Sequence, residues 1–194
     1  RYFNPDEVLQ VELELSSSDW DELRNQSRSF MSEFLGEDCR EAPFTKNYTY
    51  FSADLSINGE KLSNIGARKK GFIGSQSTEK PSLRLNLDEY VEGAELFCTD
   101  NMTFNNAVQD PSLIRQCIGY DLFAQAGLPT PRCNFARVWV NGEDMGVYAH
   151  VEPVKRSFLR DHFGNDHGDL YEGTLSDFHE LKYKTFEVKN ADTD

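Results

Sequence analysis

Two asparagine–glycine pairs place the strongest constraint on how this chain of 194 residues can fold. The pairs are Asn58-Gly59 and Asn141-Gly142, and each one separates two strand-like runs. Asn-Gly is the preferred pair for the two-residue turn of an antiparallel hairpin, because both residues tolerate a positive φ angle. The sequence therefore predicts two hairpins within a mainly antiparallel sheet.

Further strand-like runs surround these turns. On the basis of apolar alternation and length, strands are predicted at residues 7–15, 48–57, 61–68, 82–87, 101–106, 135–140, 145–151, 169–172 and 182–188. Residues 25–47 contain Gly36 and Pro43 and show no sustained period, so they are interpreted as an insertion or a long loop.

Three segments carry helical signals. Residues 16–19 offer N-cap side chains before Trp20, and a third helix is predicted at about residues 154–163. The clearest helix begins with Asp110 as the N-cap and Pro111 at the first helical position. Its apolar stripe predicts a core helix and consists of Leu113, Ile114, Cys117, Ile118, Leu122 and Phe123. The expected fold class is therefore α+β, with a mainly antiparallel sheet and packed helices.

A basic loop joins two of the predicted strands. Residues 68–80 hold Arg68, Lys69, Lys70 and Lys80 around two glycines and several hydroxyl side chains. Glycine lets backbone N–H groups turn towards an anion, and lysine or arginine supplies the opposing charge. The pattern favours a phosphate site. The alternative interpretation is a solvated hairpin loop whose lysines bind nothing.

The charge balance limits the partners of the chain. Twenty Lys and Arg residues stand against 33 Asp and Glu residues, which gives a net charge of −13. Such an acidic chain is unsuited to non-specific binding of nucleic acid or of an anionic membrane surface. No apolar run approaches the roughly 20 residues of a spanning helix, so no membrane insertion is expected. The chain begins Arg1-Tyr2-Phe3, without Met, and is interpreted as a mature or excised piece of a longer protein.

The four cysteines leave two alternatives open. They lack C-x-x-C spacing, which argues against a zinc cluster, and they form either two disulfides or four buried thiols. Two tripeptides, at Asn47 and Asn101, match the glycosylation sequon, and together these features favour an extracytoplasmic location. The cysteines are Cys39, Cys98, Cys117 and Cys133.

A series of short motifs follows in order from about residue 8 to residue 171. The motifs include Gly66-Ala67-Arg68-Lys69-Lys70-Gly71, Ser75, Lys80-Pro81-Ser82-Leu83-Arg84-Leu85, Asn105-Asn106, Asp110-Pro111-Ser112, Gly127-Leu128-Pro129-Thr130-Pro131, Val138-Trp139-Val140-Asn141-Gly142, Val151-Glu152 and Leu170-Tyr171. Each motif is ordinary by itself, but their order and spacing together resemble the CotH family of spore-coat protein kinases and their secreted relatives.

This resemblance implies a fold and an activity. The implied fold is the N-terminal part of an atypical protein-kinase-like fold, which binds ATP with Mg²⁺ or Mn²⁺ and phosphorylates Ser or Thr of secreted, coat or surface proteins. ATP and a protein substrate or surface partner are thus the implied partners. The residues implied at the nucleotide are Arg68, Lys69, Lys70, Gly71, Ser75 and Lys80 at the phosphates, and Glu152 lining the site.

One part of the family pattern is missing. The family carries its catalytic and metal-binding residues on a later segment with Asp…His-Asn and Trp-Asp-x-Asp patterns, and this sequence reaches Asp194 before either. Residues 1–194 are therefore interpreted as a single truncated CotH-like domain, without assigned catalytic residues or metal ligands and without kinase activity by itself. The alternative is a non-catalytic surface-binding, adhesive or structural module on the same scaffold.

Overall fold

Strands dominate the described part of the chain. The structure is a computed structural model that describes residues 2–28, 48–72, 74–173, 176–180 and 183–190. In chain order the elements are β1 (Val8–Glu14), α1 (Ser17–Asn25), β2 (Phe51–Ile57), β3 (Glu60–Lys70), β4 (Ser82–Asn86), β5 (Asn101–Asn105), α2 (Arg115–Gln125), β6 (Cys133–Val140), β7 (Glu143–Val151), α3 (Arg156–Phe163), β8 (Leu170–Gly173), a 3₁₀ turn (Tyr183–Thr185) and β9 (Phe186–Asn190).

Seven of these strands close into a barrel. Its strand order is β1-β2-β3-β4-β5-β7-β6, and neighbouring strands within this series pair antiparallel. The barrel closes where β1 pairs with β6 in parallel, with Val11 opposite Val138. This pairing joins the first strand of the chain to a strand more than a hundred residues later.

Alternating side chains fill the barrel. In β1 the buried residues are Leu9, Val11 and Leu13, and the residues between them are exposed. The other strands contribute buried apolar side chains in the same way, which include Leu55, Ile57, Ile65, Leu83, Leu85, Met102, Phe104, Val140 and Tyr148. The outward faces of the strands are therefore available for polar residues.

The two predicted hairpin turns are confirmed. Asn58 has φ of 51° and Gly59 has φ of 90°, while Asn141 and Gly142 have φ of 51° and 79°. Each asparagine side chain also accepts a hydrogen bond from the backbone of β1 or of the residue that directly follows β1. The Oδ1 of Asn58 accepts from the N–H of Gln10 at 2.8 Å, and the Oδ1 of Asn141 accepts from the N–H of Leu15 at 3.0 Å.

The predicted fold class is wrong. An α+β fold with packed helices, resembling the N-terminal part of a kinase-like fold, was expected, whereas the structure is mostly β with a closed seven-stranded barrel. Local periodicity indicates that a segment is a strand, but it does not specify which distant strand it pairs with. The parallel pairing of β1 with β6 is such a distant contact, and it is what closes the barrel.

The helix expected in the core lies at the surface. It begins at Arg115 instead of next to Asp110, because residues 110–113 form a turn in which the N–H of Leu113 bonds to the carbonyl of Asp110 at 2.9 Å. All eleven residues of α2 are half-buried or exposed, and Leu122 and Phe123 are 64% and 53% exposed. The strands already fill the barrel, so the apolar stripe of α2 has no core to enter.

Truncation of Leu122 to alanine tests this position of α2. We expect the free energy of unfolding to change by no more than about 0.5 kcal/mol, because little apolar surface of Leu122 is removed from water. A leucine packed in a core would cost about 2–5 kcal/mol on the same change. Denaturant unfolding of the variant beside the unaltered chain distinguishes the two, and a loss above about 2 kcal/mol would contradict the exposed position.

The chain forms two compact units. The first, residues 1–27 and 48–153, contains the barrel, α1 and α2. The second, residues 28–47 and 154–194, contains α3 and the antiparallel pair β8–β9. The insertion predicted at residues 25–47 lies, beyond residue 28, outside the described residues. None of the described helices has the length and apolar character needed to cross a membrane.

Candidate functional site

A cleft opens where three barrel strands meet a loop and a helix. It lies at the end of β3, the start of β4 and the end of β5, and its volume is about 390 Å³. The basic loop and residues 106–116 form its sides. The lining residues are Lys70, Gly71, Ser75, Ser82, Asn105, Asn106, Ala107, Val108, Gln109, Asp110, Leu113, Arg115 and Gln116.

The basic loop enters the cleft through a tight turn. Gly71 has φ of +119°, and a β-carbon placed on it would lie 2.6 Å from the Oγ of Ser75. That Oγ accepts a hydrogen bond from the N–H of Phe72 at 3.1 Å. Only glycine allows this approach, so the Gly-Ser composition of the loop shapes the wall of the cleft.

Asn106 holds the two ends of the loop together. Its side chain is buried, and its Nδ2 donates to the carbonyl oxygens of Ser75 at 3.1 Å and Lys80 at 2.7 Å. Its backbone N–H donates to the Oγ of Ser82 at 2.9 Å. The asparagine directly after β5 therefore anchors the loop to the sheet, a role that was not assigned to it from the sequence. The pair Asn105-Asn106 at the end of a predicted strand was the sequence feature that could have indicated this role.

A polar chain crosses the cleft from β3 to α2. The Nζ of Lys70 donates to the Oδ1 of Asn105 at 3.0 Å, and the Nδ2 of Asn105 donates to the Oε1 of Gln116 at 2.9 Å. These bonds place the Lys70 ammonium against the wall of the cleft. Asn105 and Gln116 were not predicted as site residues.

Among the described residues that line the cleft, Asp110 supplies the carboxylate, and its hydrogen bonds stabilise the turn that it begins. It accepts from the N–H and hydroxyl of Ser112 and from the N–H of Arg115, at 2.9 Å in the last case. The hydrogen bond from the Ser112 hydroxyl is the largest of the effects that hold the pKa of Asp110 below its ordinary value, and Arg115 adds to it. Asp110 therefore caps α2 from four residues before the usual N-cap position.

Lys69 and Arg68 point to opposite faces of β3. Lys69 follows the buried side, and its Nζ donates to the carbonyls of Arg24 and Gln26 at 2.6 and 2.7 Å. Burial lowers the pKa of this ammonium. Arg68 lies on the outer face, with its guanidinium 5.2 Å from the centre of the Tyr50 ring. The bonds of Lys69 tie the end of α1 to the barrel, and a role at a ligand stays a prediction for both residues.

Lys80 bonds to β7. Its Nζ donates to the carbonyl of Val147 at 2.8 Å and lies 4.9 Å from the centre of the Tyr148 ring. Burial lowers its pKa, and the nearby Asp144 carboxylate partly opposes this shift. Lys80 is not among the residues that line the cleft in the described part of the chain.

Glu152 is buried beside Arg132. Its carboxylate accepts from the backbone N–H of Arg132 at 3.0 Å and from the guanidinium Nε at 3.1 Å and Nη2 at 2.5 Å. Within the described residues, Glu152 does not belong to the lining of the cleft. Of the residues predicted at a nucleotide, Lys70, Gly71 and Ser75 are thus the three that the structure brings together in this cleft.

One disulfide fastens α2 to the barrel. Cys117 in α2 is bonded to Cys133 at the start of β6. Of the other two cysteines, Cys98 is an exposed free thiol, and Cys39 lies outside the described residues. The disulfide therefore fixes the helix that carries Gln116 into the cleft.

Within the described ranges, no group of three or more His, Cys, Asp or Glu side chains is arranged to hold a metal ion. The oxygens of Asp110 are already occupied by Ser112 and Arg115. The cleft residues described above fit an anion better than a cation.

The sequence is similar to known proteins of one family. The family model described as CotH kinase protein matches residues 67–194, which is more than half of the chain. Inner spore coat protein H of Bacillus subtilis (strain 168) is 38% identical over 55 residues, which cover 28% of this chain and 15% of that protein. An inner spore coat protein H-like protein of the same strain is 27% identical over 110 residues, covering 50% of this chain and 34% of the relative.

The matched part of the chain contains the cleft. The family match begins in β3, one residue before the basic loop, and includes β4, β5 and α2. The chain spans well under two thirds of the length of either curated relative. On the strength of the family match, this chain belongs to the CotH kinase protein family.

Proposed function

We propose that this chain binds the phosphates of ATP in the cleft and forms the nucleotide-binding part of a CotH-type kinase. The observation that carries the proposal is the convergence of Lys70, Gly71, Ser75 and Arg115 on one cleft. In the proposed activity, the whole kinase phosphorylates Ser or Thr of coat, secreted or surface proteins. This chain contributes the binding of the nucleotide.

The chemistry of phosphoryl transfer suits such a cleft. The transfer needs positioning of the phosphates and charge stabilisation, with little covalent chemistry from the protein. The ammonium of Lys70 supplies a positive charge, and the positive φ of Gly71 lets the backbone come close to a phosphate. A volume of about 390 Å³ also falls within the range of small-molecule sites.

Mg²⁺ or Mn²⁺ would neutralise phosphate charge when bound. The carboxylate of Asp110, which would be the natural ligand in the cleft, already accepts hydrogen bonds from Ser112 and Arg115. The described residues therefore do not fit a metal centre by themselves. The proposed contribution of the cleft is phosphate binding by cations and N–H groups.

The relatives also suggest where the protein works. Both curated relatives carry names of inner spore coat proteins, so a coat or cell-surface location outside the cytoplasm is proposed for this chain. The Cys117–Cys133 disulfide supports this proposal, because disulfides persist mainly in oxidising environments.

Replacement of Lys70 by alanine tests the proposal. We expect the affinity for ATP, measured by titration calorimetry in the presence of MgCl₂, to fall at least about tenfold, because a charge-assisted hydrogen bond contributes roughly 1.5–3 kcal/mol. Lys61→Ala is the matched control, because Lys61 is exposed near the other end of β3. Its affinity should stay within about twofold of the unaltered chain.

The outcome decides between two functions. Equal affinities of the Lys70→Ala variant and the unaltered chain would contradict phosphate binding by Lys70. Absence of ATP binding by the unaltered chain would contradict the nucleotide site as a whole. The non-catalytic surface module would then be the better proposal.

A further inference from the structure

Two arginines occupy directly paired positions on the outer face of the barrel. Arg68 in β3 and Arg84 in β4 are directly paired in the antiparallel register. Their neighbours Ala67, Leu83 and Leu85 point into the core, so both guanidinium groups lie on the outer face. Directly opposed residues of an antiparallel pair have Cβ atoms about 4.5–5.5 Å apart, and like charges at such positions destabilise the pair.

No acidic partner offsets these charges in the described part of the chain. The Nη1 of Arg68 lies 3.4 Å from the carbonyl of Lys69, and the Nη2 of Arg84 donates to the Oδ1 of Asn101 at 3.1 Å. The Nε of each arginine is buried without a hydrogen-bond acceptor among the described residues. The chain has 33 Asp and Glu residues, yet the two guanidinium groups have neutral neighbours in their described contacts.

A dianionic ligand would offset the repulsion between the two positive charges and would provide acceptors for the two Nε–H groups. Guanidinium groups bind phosphate oxygens with two parallel hydrogen bonds, and a phosphate group can accept from two guanidinium groups at once. A single carboxylate carries one charge and would neutralise only half of the pair. Rotation about the Cδ–Nε bond of each arginine would turn its Nε–H towards the ligand.

The arginine pair continues the face that carries the cleft. Lys70 follows Arg68 by two residues on the same side of β3, a separation of about 6.6 Å along the strand. Lys70 is paired with Ser82 of β4, and Ser82 also lines the cleft. A chain of phosphates that begins in the cleft could therefore reach the arginine pair.

We propose that Arg68 and Arg84 form a binding site for a phosphate group of a polyphosphate ligand. The phosphate comes either from a nucleotide in the cleft, in which case the inference rests on the proposed function, or from an inorganic polyphosphate. Arg84 has not been assigned to the site by the sequence, and the structure assigns it through its register with Arg68.

Titration calorimetry with sodium pyrophosphate and, separately, with ATP tests this site. We expect Arg84→Gln to weaken pyrophosphate binding at least about tenfold, since it removes one of two opposed charges. Arg68→Gln should act in the same direction. Lys61→Gln removes a charge at an exposed position of β3 and should change the affinity less than about twofold.

A folding control accompanies these titrations. Removing one of two like charges relieves repulsion, so the denaturation midpoint of Arg84→Gln should be unchanged or raised. A weaker affinity in a variant of unchanged stability therefore reflects the site itself. Loss of ATP binding in parallel would identify the nucleotide as the source of the phosphate, and loss for pyrophosphate alone would identify an inorganic ligand.

Different results of these titrations would overturn the arginine site and the nucleotide site. If Arg84→Gln binds both ligands like the unaltered chain while Lys70→Ala loses ATP, the inference is overturned and the proposed function stands. If the unaltered chain binds pyrophosphate through Arg84 but does not bind ATP, the proposed function alone is overturned. Failure of the unaltered chain to bind pyrophosphate and ATP would overturn both.

Discussion

The barrel will lose stability steeply below about pH 6.5, because the folded chain holds the imidazole of His150 neutral. His150 is fully buried, with the rings of Phe3 and Phe104 stacked at 4.5 and 5.0 Å and the ring of Tyr2 edge-on at 4.7 Å. Burial, with a smaller effect of Arg132, lowers its pKa from 6.5 to about 3. An unpaired positive charge in this aromatic cluster would be costly.

The hydrogen bonds of His150 define its neutral form. Its Nδ1 lies 2.7 Å from the Oδ1 of Asn134, and the Nδ2 of Asn134 donates to the carbonyl of Tyr2 at 3.1 Å. This orientation makes Nδ1 the protonated nitrogen, so Nε2 carries the lone pair. The buried Nε2 has no hydrogen-bond partner among the described residues, so none of them would accept a hydrogen bond from a proton bound at Nε2.

The lowered pKa of His150 makes the folded chain less stable as the pH falls. Below pH 6.5 the unfolded chain takes up a proton on this histidine, while the folded chain does not until about pH 3. Proton uptake therefore favours unfolding throughout this window, by about 1.4 kcal/mol for each pH unit. Between pH 6.5 and pH 4, His150 alone should cost about 3 kcal/mol of stability.

Denaturant unfolding at a series of pH values measures this effect. The fluorescence of Trp20 and Trp139 is a suitable signal, because both tryptophans of the chain belong to the barrel unit. His150→Phe should be less stable at pH 7, because it leaves the buried Oδ1 of Asn134 without the donor Nδ1 of His150, but its stability should depend less on pH. The exposed His167 is the control, and His167→Gln should follow the unaltered chain. Parallel curves for His150→Phe and the unaltered chain would contradict the prediction.

The local structure of this chain was predictable where short-range chemistry decides it. Asn58-Gly59 and Asn141-Gly142 adopt positive φ angles as their composition requires. The helix start at Ser16 was also correct, since its Oγ accepts from the N–H of Asp19 at 3.1 Å. In each case the deciding contact lies within a few residues of the signal.

The closure of the barrel was not predictable in the same way. The partners of the parallel pair β1–β6 are far apart in the sequence, and the alternation of β1 is compatible with several neighbours. The surface position of α2 has the same origin, because its apolar stripe indicates a core only if the sheet leaves one face to be covered. A closed barrel buries its apolar side chains inside itself.

The sequence of the basic loop predicts which face of β3 each charged side chain takes, but not which partner it binds. Period-2 alternation along β3 places Lys69 with the inward residues Ile65 and Ala67, and Lys70 with the outward Arg68. That division was available in the sequence. The bonds of Lys80 to Val147 and of Glu152 to Arg132 depend on the tertiary fold, so the loop composition could not reveal them.

Exchange of Asn106 for aspartate should destabilise the barrel unit by about 2–4 kcal/mol, although the two side chains have the same shape. The change replaces the Nδ2 that donates to the carbonyls of Ser75 and Lys80 by an oxygen that can only accept. At neutral pH it would also set a negative charge in a position that is 2% exposed, facing two carbonyl oxygens.

The loop should respond more strongly than the barrel as a whole. Asn106 joins the two ends of the basic loop, so amide hydrogen exchange at Phe72 and Lys80 should become faster in Asn106→Asp. Asn165→Asp is a matched control at an exposed position, where the side-chain oxygen that accepts from the N–H of His167 is retained, and we expect it to change the free energy of unfolding by less than about 0.5 kcal/mol. If Asn106→Asp retained the stability and exchange rates of the unaltered chain, Asn106 would not be the anchor of the loop, and the shape of the cleft would have to depend on the Gly71–Ser75 turn alone.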